Sequence, residues 1–549
     1  MTYSKRPVRR SCITGGFLGL IAGGLASTVF ADGHTANAPL EAPYRHQFNF
    51  PTGVTLDKGE ADATVGLLHT IPGSTNAAGG TGNQVYFFGF NYGISDRFQL
   101  GFSQSAFQDP PPTPINGALN PIRVRSNAFH GTFRVLDNEQ WKIAAEASIE
   151  HALLRNLTGV AGTEYSGAIG SVYVPISYAP SREWLLTATP GVSFLPDSIG
   201  GTRLYGTVAS MGFGATWKPT QRFAAYGSVN VPLSGNNTVT TAGTVDQVPV
   251  WTVGARFNAT PKVALDVFST NGMGITPATR VLTFFPDGDE ALVGAMVTYT
   301  PGEREGYRPN YRGLSGEPLS KRQQELQIDG ITLSSPDTLS PGRVALTGFA
   351  GSENSWSGGI QFSPDYDFQI EAAYEQWSDD GSLGRPTVPG FAETWVVGGT
   401  IRLMDQNNGS PFSLAGKVLM GREENNGDGT FFASVPMSYK ANDGFALMAE
   451  PKAAAWGSTE SFGLGLGVNA SPIRGLSALA EITPVTEGPN SLVWAAGVRW
   501  RPANTGLNLE LSASNAVGRY GYGTMVAQDD VKISLGATLV LDGRGLKFW

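Results

Sequence analysis

Gly131-Thr132-Phe133-Arg134-Val135-Leu136-Asp137 returns later in the chain as Gly399-Thr400-Ile401-Arg402-Leu403-Met404-Asp405, 268 positions on. It is one of a series. Thr55-Leu56-x-x-Gly59 recurs as Thr338-Leu339-x-x-Gly342 at an offset of 283, and Phe98-Gln99-Leu100 as Phe368-Gln369-Ile370 at 270. Val174-Pro175-Ile176-Ser177-Tyr178 recurs as Val435-Pro436-Met437-Ser438-Tyr439 at 261, followed at that offset by Pro190 and Pro451. Val250-Trp251 with Gly254 and Arg256 recurs as Val493-Trp494 with Gly497 and Arg499 at 243. The matches keep their order while the offset shrinks, as in a tandem duplication whose second copy has shorter loops. So long a period excludes a solenoid and implies two copies of a whole sheet-sized unit.

The repeated stretches alternate. Val531, Ile533, Leu535, Ala537, Leu539 and Leu541 share one face of an extended chain, with Lys532, Ser534, Gly536 and Thr538 on the other. Phe462, Leu464, Leu466 and Val468 alternate with Gly463, Gly465, Gly467 and Asn469. A period of two assigns β-strands with one apolar and one polar face. Segments of this pattern, about ten residues long, are the mark of a transmembrane barrel strand.

Composition agrees. Of 549 residues 71 are Gly, only 15% are charged, and 41% are hydrophobic. No stretch approaches the roughly 20 apolar residues of a helical span. In lipid only helices and closed barrels satisfy every backbone group, so a membrane protein of this composition is a barrel. The connections alternate too. Ser95-Asp96, Asp137-Asn138-Glu139, Ala179-Pro180-Ser181, Pro219-Thr220-Gln221 and Thr260-Pro261 are tight, whereas 108–123, 153–164 and 233–247 are long and rich in Gly, Pro, Asn and Thr. Short periplasmic turns and long outer loops are the habit of outer-membrane barrels.

The expected fold is therefore all-β: an antiparallel transmembrane β-barrel of about twelve strands per repeat. The repeats are read as 32–300 and 342–549, joined by a polar, Pro-rich linker, 301–341, with one short helix at Leu319–Leu326. A linker of some forty residues favours two barrels in tandem over one of about 24 strands. The competing reading makes 301–341 a plug or periplasmic loop of one large barrel.

Residues 1–31 read as a secretory signal: Lys5, Arg6, Arg9 and Arg10, an apolar stretch Phe17 to Val29, then Val29-Phe30-Ala31 before Asp32. The Arg9-Arg10 pair also fits a twin-arginine signal, the less favoured reading because a barrel crosses the inner membrane unfolded. The one cysteine, Cys12, lies in this segment, so the mature chain has no disulfide or thiolate metal site. Its removal takes four basic and no acidic residues from a net charge of -8, leaving -12. Nucleic acid, which needs a basic surplus, is not an expected partner.

Aromatics fall near strand ends on the apolar face: Trp141, Trp251, Trp395 and Trp494, with Phe257 and its repeat partner Trp500. Such girdles mark the membrane interfaces. The opposite face carries charge. His130, Arg134, Lys142, Glu146, Arg256 and Asp266 in the first copy, and Arg402, Arg499 and Glu510 in the second, are the candidate lumen-lining residues. Mixed charges there either line a wet pore or pair to fill a narrow one. Inward glycines such as Gly463, Gly465 and Gly467 leave room for the former. Five histidines, none at metal spacing, and no Gly-x-Ser-x-Gly elbow argue against an enzyme, although His151 falls near the outer rim. No cofactor or metal is expected.

Phe50-Pro51-Thr52-Gly53-Val54-Thr55-Leu56-Asp57-Lys58-Gly59 resembles the P-T-x-x-x-L-x-x-G opening of many outer-membrane proteins, and Asn91 to Gly101 their usual strand-turn-strand. The chain thus resembles Gram-negative-type, porin-like outer-membrane β-barrels. Its duplication is similar in topology to the two-barrel proteins of exopolysaccharide secretion. The resemblance implies the cell outer membrane, partners in the lipid bilayer and the barrel-assembly machinery, and a passive pore for small polar solutes or ions, with homo-oligomers left open. The alternatives are a non-conducting barrel assisting exopolysaccharide secretion or envelope assembly, and a structural or adhesive surface protein. One departure is that the last strand ends near Leu541, ahead of the terminal Phe548-Trp549.

Overall fold

The computed structural model describes residues 45–70, 84–220, 223–258, 263–300, 319–326, 328–377, 393–423, 429–456, 459–486, 492–502 and 505–542. The signal segment 1–31, the first part of the linker (301–318) and the terminal Phe548-Trp549 lie outside them.

The first copy opens with β1 (Ala61–Thr70), β2 (Gln84–Ser95), β3 (Phe98–Asp109), β4 (Ile122–Asp137) and β5 (Trp141–Arg155). β6 is one strand in two pieces, Glu164–Tyr173 and Ile176–Ser181. It is followed by β7 (Trp184–Phe194), β8 (Thr207–Trp217), β9 (Phe223–Pro232), β10 (Val250–Asn258), β11 (Val263–Thr270) and β12 (Leu292–Tyr299). Each strand pairs antiparallel with the next, and β12 returns to β1 in the register Leu292↔Thr70 to Tyr299↔Ala63. The sheet closes as a twelve-stranded barrel with no free edge.

The second copy repeats this. Its strands are β13 (Arg343–Gly351), β14 (Trp356–Asp365), β15 (Phe368–Gln376), β16 (Glu393–Met404), β17 (Ser413–Glu423), β18 (Gly429–Ser434 and Met437–Asn442) and β19 (Phe445–Trp456). Then come β20 (Thr459–Ile473), β21 (Leu476–Pro484), β22 (Leu492–Trp500), β23 (Leu507–Ala516) and β24 (Ala527–Asp542). β24 closes on β13 from Arg343↔Asp542 to Gly351↔Ser534. The chain thus forms the two barrels in tandem that the long linker favoured, rather than one barrel of about 24 strands.

The repeated Val-Pro explains the divided strands. Proline has no N–H to give the ladder. In both copies the preceding valine N–H reaches a proline on the next strand, Val174 to Pro190 O at 3.0 Å and Val435 to Pro451 O at 3.0 Å. The break is thus a duplicated feature of the wall.

Outside, the apolar faces remain uncovered: Phe129, Ile149, Phe213, Val253, Ile533 and Leu535 are all more than half exposed. In water such a belt is unstable; in a bilayer it is the required surface. Trp141, Trp184, Trp217 and Trp500 ring the tight-turn end, and Trp251 and Trp356 the long-loop end. Phe257 departs from its repeat partner. Trp500 is exposed, whereas Phe257 is buried with Val263 against Phe368 and Ile401 of the second barrel. Near the long-loop end, Tyr86 donates to Gly421 O at 3.1 Å and Arg422 reaches Asp109 at 2.7 Å. The barrels therefore touch near both ends of their walls, and the aromatic expected at the lipid interface seals the join.

Candidate functional site

The barrel interiors are occupied. Before each barrel a strap of chain enters from the tight-turn end. In the first it is Arg45 to Lys58, which includes the small hairpin His46–Gln47 with Phe50–Pro51. In the second it is Ile328 to Asp337, drawn from the segment read as linker. The short helix α1 (Lys321–Glu325) precedes it, opened by a Ser320–Gln323 capping box.

The straps are repeats of each other at the offset of 283. Leu56 N–H donates to Gln99 Oε1 at 3.0 Å, and Leu339 N–H to Gln369 Oε1 at 3.0 Å. Phe50 and Leu333, also 283 apart, are buried anchors pressed against the eighth strand of their barrels. A side chain at Gly212 or Gly214 would strike the Phe50 ring, and one at Gly465 or Gly467 the Leu333 methyls. Two of the three inward glycines that promised an open lumen, Gly465 and Gly467, instead hold a strap residue.

Polar groups of the wall grip the second strap. Glu481 accepts from Ile331 N–H at 2.6 Å, Thr332 N–H at 2.8 Å, the Thr332 hydroxyl at 2.7 Å and Leu333 N–H at 3.2 Å. Lys452 Nζ donates to Thr332 O at 2.6 Å and Glu450 accepts from Ser334 N–H at 2.8 Å. Burial pushes the strap's Asp337 up to about 6, against the opposing pull of Lys440; Lys440 Nζ lies 3.9 Å away.

From the long-loop end the last loop of each barrel folds inward. The 271–291 loop puts Phe284 and Phe285 edge-on to Phe107 in a dry cluster with Ile115, Ile122 and Val281. The 517–526 loop puts Tyr522 between Trp377 and Trp456. In the first barrel a cavity of about 120 Å³ remains between strap and loop; in the second a void of about 40 Å³ lies among the upper wall and its loop.

The nine candidate wall residues are engaged as follows. Arg256 and Asp266 are cross-strand partners, fully buried, with Nε to the two carboxylate oxygens at 3.0 and 2.9 Å. Their counterparts Arg499 and Glu510 are also cross-strand partners, Nε to Oε2 at 3.1 Å. Arg499 further donates to Asp329 O at 2.8 Å and Gly330 O at 3.2 Å on the strap. Arg134 donates to Thr55 Oγ1 and Asp57 at 2.7 Å each, with Asp137 at 3.5 Å; its repeat Arg402 holds Asp367 at 3.2 Å and Asp405 at 3.0 Å. His130 Nε2 meets Asn91 Oδ1 at 2.9 Å. Glu146 does not turn to Lys142 but to Arg280 of the infolded loop, at 2.8 Å, while Lys142 takes Asp137 at 2.7 Å. Arg280, Glu481, Glu450, Lys452 and Arg519 were not among the candidates. The wall residues Glu481, Glu450 and Lys452 were legible as lone charges on the inward phase of apolar strands. Arg280 and Arg519 sit in loops, where no period marks a facing.

The chain is an internally duplicated outer-membrane β-barrel protein. That rests on two closed antiparallel barrels, an uncovered apolar belt, aromatic girdles, and tight turns opposite long loops. No protein-family model matches the chain and no curated protein matches it. Among solved structures it is similar to the NanC porin at 10% identity, covering 44% of this chain and 98% of that one, with a TM-score of 0.27. An outer membrane channel from Pseudomonas putida F1 matches at 12% identity over 45% and 97% of the two chains, TM-score 0.32. Outer membrane phospholipase A from Escherichia coli matches at 10% identity over 45% and 98%, TM-score 0.26.

Proposed function

We propose that the protein is a passive, non-catalytic conduit for small polar solutes or ions, held shut in this state by a strap and an infolded loop in each barrel. The observation that carries the reading is the polar seat of the second strap. A permanent filler is held as well or better by apolar packing, because buried charge pairs gain little over hydrophobic replacements. Here Glu481, Glu450, Lys452 and Arg499 hold the strap by hydrogen bonds. Its withdrawal would uncover a charged wall fit to line water.

The second reading, a non-conducting barrel that assists polysaccharide secretion or envelope assembly, is favoured by the dry cluster around Phe107, Phe284 and Phe285. Planar-bilayer conductance separates the two. The mature chain has no cysteine, so Leu333→Cys with Gly465→Cys supplies one bridge that locks the second strap. Current that is silenced by oxidation and restored by reduction supports the conduit. Silence of both the wild type and a chain lacking residues 328–337, with folding verified by heat-modifiable mobility, overturns it in favour of the second reading.

A further inference from the structure

Arg123 and Arg155 stand directly opposite each other across β4 and β5, both on the outward face at the long-loop end. Arg125 is two residues along the same face of β4. Like charges placed opposite on a sheet repel and lower its stability. Glu164, the β6 partner of Arg155, approaches it at 3.9 Å, and neither Arg123 nor Arg125 makes an ion pair among the described residues. Arg123 Nε is buried without a hydrogen-bond partner. Three guanidiniums thus face one carboxylate.

What lies below them is greasy. Phe129 on β4 and Ile149 on β5 are among the most exposed apolar side chains of the protein. Between the two layers sit Asn127 and His151, also cross-strand partners, with Ser166 Oγ 3.3 Å from His151 Nε2. Reading outward along this wall, one meets an apolar belt, then polar hydrogen-bonding groups, then a concentrated positive charge. The second barrel lacks the charge: at the offset of 268, Arg125 corresponds to Glu393, which accepts from the Tyr374 hydroxyl at 2.6 Å.

We propose that this wall of the first barrel binds a phosphorylated lipid of the outer leaflet, its phosphate on Arg123, Arg125 and Arg155 and its acyl chains along Phe129 and Ile149. Guanidinium forks match phosphate oxygens, and the facing pair is relieved when a dianion lies between them. A free phosphate would satisfy the cations alone; the exposed apolar residues beneath select a lipid.

The test uses the full mature chain, refolded in detergent and delipidated, titrated with diphosphoryl lipid A, its dephosphorylated form and inorganic phosphate, and read by native mass spectrometry. The expected result is one diphosphoryl lipid retained, with at least about ten-fold weaker retention of the dephosphorylated form. Arg125→Gln with Arg155→Gln should remove that preference, and Arg474→Gln, at the tight-turn end, should not. Glu164→Gln should tighten binding by removing the one opposing carboxylate, a gain that misfolding cannot mimic. Equal retention of both lipids, an unchanged double variant, or inorganic phosphate competing at the same concentration as the lipid would each overturn the proposal. Because binding is read directly, a silent conductance trace leaves this result untouched.

Discussion

Phe50 and Leu333, 283 positions apart, perform the same packing: each lies on a pair of glycines of the eighth strand of its own barrel, Gly212 with Gly214 and Gly465 with Gly467. The glycine pairs themselves repeat at 253. Two segments far apart in sequence have therefore been copied together with their contact. The strap is thus an inherited part of each barrel, distinct from the linker that joins them.

Gly465→Ala should unseat the second strap. Its Cβ would overlap the Leu333 methyl, and overpacking of this kind costs about 1–3 kcal/mol. Hydrogen exchange should quicken at Ile331 to Leu333 while the strands stay protected. Leu333→Ala in the same chain should restore much of the protection, since the shortened anchor clears the new methyl. Unchanged exchange in the single variant would show that Leu333 does not hold the strap.

Arg256→Ala removes the guanidinium that faces the buried Asp266, which should cost about 3–5 kcal/mol in urea unfolding from lipid vesicles. Replacing both by Met and Leu should recover most of that loss. The equivalent change at Arg499 should also loosen the second strap, because Arg499 donates to the strap carbonyls of Asp329 and Gly330.

Leu535 and Gly536 are adjacent and face opposite ways. Leu535 is 64% exposed on the lipid face, while a side chain at Gly536 would meet the Phe349 ring. Leu535→Arg should cost roughly 2–4 kcal/mol of stability in the bilayer. Gly536→Arg should act inward, disturbing Phe349 and the Arg519 stacked 3.7 Å over its ring, with a change in conductance. Matching losses from both would mean that the facing is wrong.

The second strap should be seated more firmly in acid. Burial raises Asp337 from the ordinary 3.8 to about 6, so the folded state holds the proton more tightly than the unfolded chain. The stability this supplies is complete below pH 3.8 and is lost as pH climbs through about 6. Exchange at Ile331 and Leu333, corrected for its intrinsic pH dependence, should be slower at pH 5 than at pH 7.5. Asp337→Asn should erase the difference.

Much was legible beforehand because a strand writes its facing in every second residue. That period assigned the lipid side of β24, the inward facing of Arg256 and Asp266, and the count of about twelve strands per repeat. The duplication fixed which residues correspond, from Arg134 and Arg402 to the paired Val-Pro breaks. Segments without a period stayed mute. Nothing in Phe50-Pro51-Thr52 or Ile331-Thr332-Leu333 says that the chain turns back into a lumen, and nothing in 271–291 says that Arg280 will meet Glu146.

Sequence by itself determined two antiparallel walls, which face of each meets lipid, and where the inward charges lie, because alternation is a local property of extended chain. Tertiary structure alone decided that the lumens are filled, that glycines serve as seats, and that Phe257 is shielded while Trp500 is not. Those outcomes depend on which surfaces closure brings together across a barrel or between two, and a contact between residues 120 or 335 positions apart leaves no trace in the order of their neighbours.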